Sequence, residues 1–216
     1  MEKFKTLKDH VYEHIALLIR DGKLLPDQHI NENVICKELN ISRTPVREAL
    51  IQLAAEDVLE NKARKGFVIK ALSEKEVLEL YSVIGVLDGF AAKLACDNLS
   101  DKDLKDMEFY VDSMDLAIKA GNYQMYDKQQ NFFHQLYIDR CKNSILIDTI
   151  EKSKNKLLKT TYYDGHDEEI EEIFLSTNEE HRHILELFKA KKKDELYKYL
   201  SETHWRGTYA SFDTLI

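Results

Sequence analysis

The sequence predicts a mainly α-helical protein in two parts: an N-terminal winged helix-turn-helix with a small β-hairpin wing, then a C-terminal antiparallel all-α helical bundle. Three observations predict it. Two helical patterns meet at a tight turn around Asn40 and lead into a short hairpin. Both prolines, Pro26 and Pro45, lie in the first fifty residues and the long remainder has few glycines, so little interrupts a helix there. Charge also divides along the chain. Residues 1–70 carry 12 Lys+Arg against 11 Asp+Glu, and residues 71–216 carry 19 against 28. That asymmetry fits two domains, 1–70 and 71–216.

The first helix is expected over residues 5–21, with Leu7, Val11, His14, Ile15, Leu18 and Ile19 as its apolar stripe, Gly22 as its end and Pro26 as a stop. A short helix over 31–39 follows, capped by Asn31 and closed by Asn40, which tolerates the left-handed backbone of a tight turn. The next helix opens at once in NISRTPVREAL. Val46, Ala49, Leu50 and Leu53 fall at i, i+3, i+4 and i+7, one apolar face. Pro45 is tolerated in a first turn, and Ser42 or Thr44 can serve as the N-cap. Then VLENKARKGFVIKAL reads as a strand, a basic tip (Lys62, Arg64, Lys65, Gly66) and a second strand, Phe67-Val68-Ile69.

Helix, tight turn, helix, hairpin is the winged helix-turn-helix order, in which the start of the second helix lies on base edges in the major groove. Arg43 and Arg47 sit one turn apart at that start. An arginine fork can take guanine O6 and N7 together or grip a phosphate. Ser42 and Thr44 can hydrogen-bond DNA beside them, and Arg64, Lys65 and Gly66 would bring the wing tip to the backbone or minor groove.

In the second part, Ser73 with Glu76 and Ser100 with Asp103 are capping patterns that open helices over 74–99 and 101–119. Leu80, Ile84, Leu87, Ala91, Leu94 and Ala95 are expected to form the first helix's buried stripe. Helices over 123–141, 143–160, 168–190 and 194–212 complete an antiparallel bundle, with 161–169 as its most loop-like stretch. Three of these helices each place one histidine on an apolar stripe: His134 with Tyr137 and Ile138, His181 with Ile184, Leu185 and Phe188, and His204 one turn beyond Leu200. Imidazoles inside a bundle core are one way helical proteins build metal sites. Hydrogen-bonded core histidines are the plain alternative.

The net charge of −8 argues against non-specific nucleic-acid binding by the whole chain. No stretch approaches the roughly 20 apolar residues of a membrane span, and MEKFKTLKDH lacks a signal peptide's apolar run. Cys36, Cys96 and Cys141 are odd in number and widely spaced, which points to reduced thiols and a cytoplasmic protein.

The nonamer S-R-T-P-V-R-E-A-L, with Gln52-Leu53, the upstream L-L-P-D-Q segment and a glycine-containing wing, resembles the GntR family of bacterial transcription regulators. Asp27 and Asp57 stand where that family usually has glycine. The second part resembles the FCD effector domain of the FadR branch, on N-F-F-H around His134, E-H-x-x-I-L around His181 and the last-helix His204. The resemblance implies a divalent cation on these histidines at the floor of an effector pocket lined by Gln130, His134, His181 and His204. Gln130 replaces the family's aspartate ligand, Ile84 stands near its arginine, and Asp88 sits where a glutamate is usual. Without that carboxylate the donors are neutral, which favours zinc or nickel over magnesium or calcium.

The favoured reading is a homodimeric DNA-binding regulator, a repressor, on an inverted-repeat operator, controlled by a small carboxylate effector. Two rivals differ from it. One is a constitutive DNA-binding dimer with a degenerate effector site. The other is a metal-dependent enzyme on the same three histidines, against which stands the lack of a convincing general base or nucleophile motif.

Overall fold

The structure is a computed structural model, and the residues it describes are 6–20, 23–157 and 168–206. Gly22, the 158–167 stretch and the end of the last expected helix beyond Arg206 lie outside these residues. Contacts divide the chain into two units, broken after Val77, with the end of α7 (Ser144–Lys156) from Lys154 onward assigned to the first.

The first unit contains α1 (Leu7–Arg20), α2 (Glu32–Leu39), α3 (Arg43–Ala55), β1 (Leu59–Lys62) and β2 (Gly66–Ile69). Val11, Ile15 and Ile19 of α1, Ile35 of α2, Val46, Ala49, Leu50 and Leu53 of α3, and Leu59 and Phe67 of the hairpin form one buried cluster. Leu7, at the head of the expected stripe, is exposed. Asn31 caps α2, its side chain accepting from Asn33 N at 3.0 Å, and Asn40 closes it at φ 51°. Those two asparagines set the tight turn into α3.

Two local expectations are corrected here. Ser42 occupies the α3 cap position, yet its side chain makes no cap hydrogen bond, and Thr44 lies inside the helix. Gly66 belongs to the strand, paired with Lys62, so the tip is 63–65. Gly66 nonetheless has φ +74°, and a Cβ there would meet His29 Nε2 at 3.3 Å. His29 bridges Val68, and Ile30 N donates to Phe67 O at 2.9 Å. Asp27 and Asp57, in place of family glycines, have φ of 60° and 63°. Aspartate enters the left-handed region more readily than most residues, and each is paired, with Lys62 at 3.0 Å and Lys70 at 2.7 Å.

The second unit is built from α4 (Glu74–Ala95) after its first turn, α5 (Asp101–Lys119), α6 (Tyr123–Arg140), most of α7, α8 (Glu168–Lys189), α9 (Lys193–Tyr199) and a π-helical turn, Leu200–His204. Both expected capping boxes are present: Ser73 with Glu76, and Ser100 with Asp103. Met107, Val111 and Met114 of α5, Phe133, Tyr137 and Ile138 of α6, and Ile184 and Phe188 of α8 share one core.

Two further corrections bear on the site. The buried face of α4 runs through Val77, Tyr81, Ile84, Asp88, Ala91, Ala92 and Ala95, while Leu80, Leu87 and Leu94 are only half-buried. Hydrophobicity alone had aimed the stripe at the leucines; small residues on the other side admit a closer neighbour. The last helix is not continuous α but ends in the π turn. Among the described residues no helix is long and apolar enough to cross a membrane.

Candidate functional site

His134 of α6, His181 of α8 and His204 of the π turn converge in the second unit, all buried. His134 Nε2 lies 3.2 Å from His181 Nε2 and 3.2 Å from His204 Nε2. The α6 and α8 histidines reach this point because each shares a helix face with core residues, Phe133 and Tyr137 beside one, Ile184 and Leu185 beside the other. His204 depends on a close approach. A Cβ on Gly89 of α4 would stand 2.8 Å from Tyr197 O, and one on Gly85 would stand 2.9 Å from Trp205 Cβ. The two glycines let α9 and the π turn lie against α4. A π turn re-aims the side chains that follow it and recurs at functional sites.

Two carboxylates sit behind the imidazoles. Asp88, fully buried, accepts from Trp205 Nε1 at 2.7 Å and from the Tyr137 hydroxyl at 2.8 Å, and lies 3.1 Å from His134 Nδ1. Glu180 Oε2 lies 2.9 Å from His204 Nδ1, and its other oxygen meets Arg206 at 3.4 Å. Burial, and then the adjacent Asp88, push the Tyr137 hydroxyl well above its ordinary value, so the phenol keeps its proton.

Proton accounting then fixes the ring roles. Tyr137 gives its single proton to Asp88 Oδ1, so its oxygen, 2.6 Å from His134 Nδ1, can only accept there. His134 Nδ1 therefore carries a hydrogen, and His204 Nδ1 faces Glu180. Both rings turn Nε2 inward, and the two Nε2 atoms lie 3.2 Å apart, a spacing at which both can donate a lone pair to one cation. Imidazole nitrogens about 2.0–2.1 Å from a tetrahedral zinc are roughly 3.3 Å apart, and carboxylate–histidine pairs of this kind orient metal ligands. The donor set fits a zinc-type ion, and the three donor atoms all lie within 4.8 Å of one another. Gln130 lies one turn before His134 on α6, half-buried.

The sequence reading set Tyr137 beside His134, Asp88 at a family position and Glu180 in the E-H-x-x-I-L motif, but joined none of them, nor Trp205, to the histidines as partners. A signal existed for Asp88: it falls four residues after Ile84 and three before Ala91 on an otherwise apolar face. Glu180 stood in the E-H-x-x-I-L motif, and for Trp205 the only cue was adjacency to His204.

In the first unit, Ser42, Arg43, Thr44 and Arg47 are exposed at the start of α3. Arg43 Nη2 donates to Asn33 Oδ1 at 2.8 Å, and Arg47 Nε lies 3.8 Å from Glu32 Oε1. Both partners come from the first two residues of α2. Arg64, at φ 65°, and Lys65 are exposed at the hairpin tip, beside half-buried Gly66.

Comparison with known proteins identifies the families of both parts of the chain. Residues 7–69 match the family described as bacterial regulatory proteins, gntR family, and residues 79–205 match the FCD domain. The chain is 30% identical over 186 residues, 85% of its length and 81% of the relative's, to the HTH-type transcriptional regulator YdhC of Bacillus subtilis. It is 28% identical over 172 residues, 79% of its length and 78% of the relative's, to the Nta operon transcriptional regulator of Aminobacter aminovorans. The gluconate operon transcriptional repressor of Bacillus subtilis is 31% identical over 132 residues, 61% of this chain and 52% of that protein. Among solved structures, McbR/YncC of E. coli shares the fold at a TM-score of 0.80, with 23% identity over 92% of this chain and 93% of that one. These relatives are transcription regulators, which sets aside the reading of the three-histidine cluster as an enzyme. The chain belongs to the GntR family of DNA-binding transcription regulators and carries an FCD domain behind its helix-turn-helix.

Proposed function

We propose that the protein is a homodimeric repressor whose operator affinity is set by a small carboxylate-bearing effector, bound with a divalent cation in the 71–216 domain. One observation carries the proposal: three imidazole nitrogens meet, with two of the rings backed by carboxylates that free their Nε2 lone pairs. His134, His181 and His204 are the ligands. Zinc or nickel suits such neutral nitrogen donors better than magnesium or calcium. When bound, the cation supplies a positive centre that coordinates an effector carboxylate, and Gln130 offers an amide beside it. Similarity to the gluconate operon repressor supports both a sugar-acid class of effector and the repressing sign.

The 1–70 domain reads DNA through Ser42, Arg43, Thr44 and Arg47, with Arg64, Lys65 and Gly66 on the backbone or minor groove. One such head offers few base contacts, so two heads on an inverted repeat fit a two-fold dimer.

The test is operator binding by purified full-length protein, using the inverted repeat selected from random DNA, with and without zinc and with a panel of sugar acids. Release of DNA by one acid, only when zinc is present, supports the proposal. Operator affinity unmoved by metal or acid would favour a constitutive binder, and a monomer protecting an asymmetric half-site would refute the dimer.

A further inference from the structure

We infer that Asp88 and Glu180 are positioning residues for a divalent cation on the three histidines, and that together they supply the charge that Gln130 cannot. The inference rests on the metal reading above. Three neutral imidazoles and an amide leave both positive charges of the ion uncompensated among the ligands. Each carboxylate stands one imidazole away, Asp88 behind His134 at 3.1 Å and Glu180 behind His204 at 2.9 Å. A negative charge on Nδ1–H raises the donor strength of Nε2 and locks the tautomer that exposes it. Two such charges bring the site with its ion to neutrality.

Asp88 is the stronger of the pair. It is fully buried and held by Tyr137 and Trp205. A buried carboxylate is costly without compensating charge or hydrogen bonds; a cation one imidazole away would offset part of that cost. Glu180 divides its charge between His204 and the half-exposed Arg206, so less of it reaches the ion. The arrangement gives a site without an acidic ligand two carboxylates in contact with its histidines.

Zinc affinity of metal-stripped full-length protein, measured by competition with a chromophoric chelator, tests this. Trp205, the single tryptophan, gives a second readout, because its indole N–H is bonded to Asp88. Asp88→Asn and Glu180→Gln should each weaken zinc by about 10–100-fold, with Asp88→Asn the larger loss. Gln130→Asp added to Asp88→Asn should recover at least about tenfold, and more than Gln130→Asp gains in the wild-type background, since a charge restored among the ligands replaces one lost behind them; a mere packing defect would leave the two gains equal. Zinc should shift Trp205 emission in wild type and less in Asp88→Asn. If Asp88→Asn fails to fold by circular dichroism, Glu180→Gln alone decides. Carboxamide variants within about twofold of wild type, while His134→Ala abolishes binding, would overturn the inference and leave the metal site standing. Zinc affinity unaltered by His134→Ala would overturn the metal site itself.

Discussion

The Arg43 guanidinium is tied to Asn33: its Nη2 donates to the Asn33 side-chain oxygen at 2.8 Å. Arg43 is the first residue of α3 and Asn33 the second of α2, so the bond crosses the tight turn at Asn40. One nitrogen of the fork is held while the others remain available outward. A long exposed side chain pays rotamer entropy on binding; a tether lowers that cost.

We expect Arg43→Ala to cost about 1–3 kcal/mol in specific DNA binding if the arginine takes a base bidentately. Asn33→Ala should cost less in the wild-type background and nothing once Arg43 is gone. Fluorescence anisotropy on the selected operator, across single-base variants, measures both. An Asn33→Ala loss that persists without Arg43 would show that Asn33 acts on its own.

Lys65 stands exposed at the hairpin tip, placed for phosphate. Lys65→Ala should weaken binding evenly across sequences and lower the magnitude of the salt slope by about 1. A change in base preference instead would assign Lys65 a reading role.

Gly89→Ala sets two effects against each other. Alanine is favoured over glycine inside a helix by about 1 kcal/mol. Here the added Cβ would meet Tyr197 O at 2.8 Å, a backbone atom that cannot swing aside, and such overpacking costs about 1–3 kcal/mol. Overpacking should win, lowering the midpoint of chemical denaturation and disturbing His204. A more stable variant would mean that α9 can retreat freely.

Asp103 makes stability fall in acid. The Arg140 fork and the Ser100 cap hold its carboxyl down to about 2, from an ordinary 3.8. A depressed folded value means the stabilisation is fully present above the unfolded value and is lost as pH falls from there through about 2. Arg140→Ala should flatten the acid limb of stability against pH in that window while leaving a smaller contribution from Ser100. Denaturation midpoints between neutral pH and acid check it; identical slopes would remove the pair from the acid response.

How much of this was legible in the chain depends on the range of the interactions. Asn31, Asn40, Ser73 with Glu76 and Ser100 with Asp103 are local devices, satisfied within a few residues, and the helices they open begin where the sequence predicts them, although α4 stops at Ala95, short of the expected 99. The α3 face of Val46, Ala49, Leu50 and Leu53 is likewise local periodicity. The three histidines were legible as candidates because each lies on an apolar stripe of its own helix, and the resemblance joined them. What the tertiary structure decided is where α4 turns its face. Leucine content pointed to Leu80, Leu87 and Leu94, but close packing against α9 and the π turn is possible only over Gly85 and Gly89, and that rotation carries Asp88 into the core. Periodicity ranks faces by hydrophobicity. It cannot weigh how near a neighbour can come, and that distance put a carboxylate behind His134.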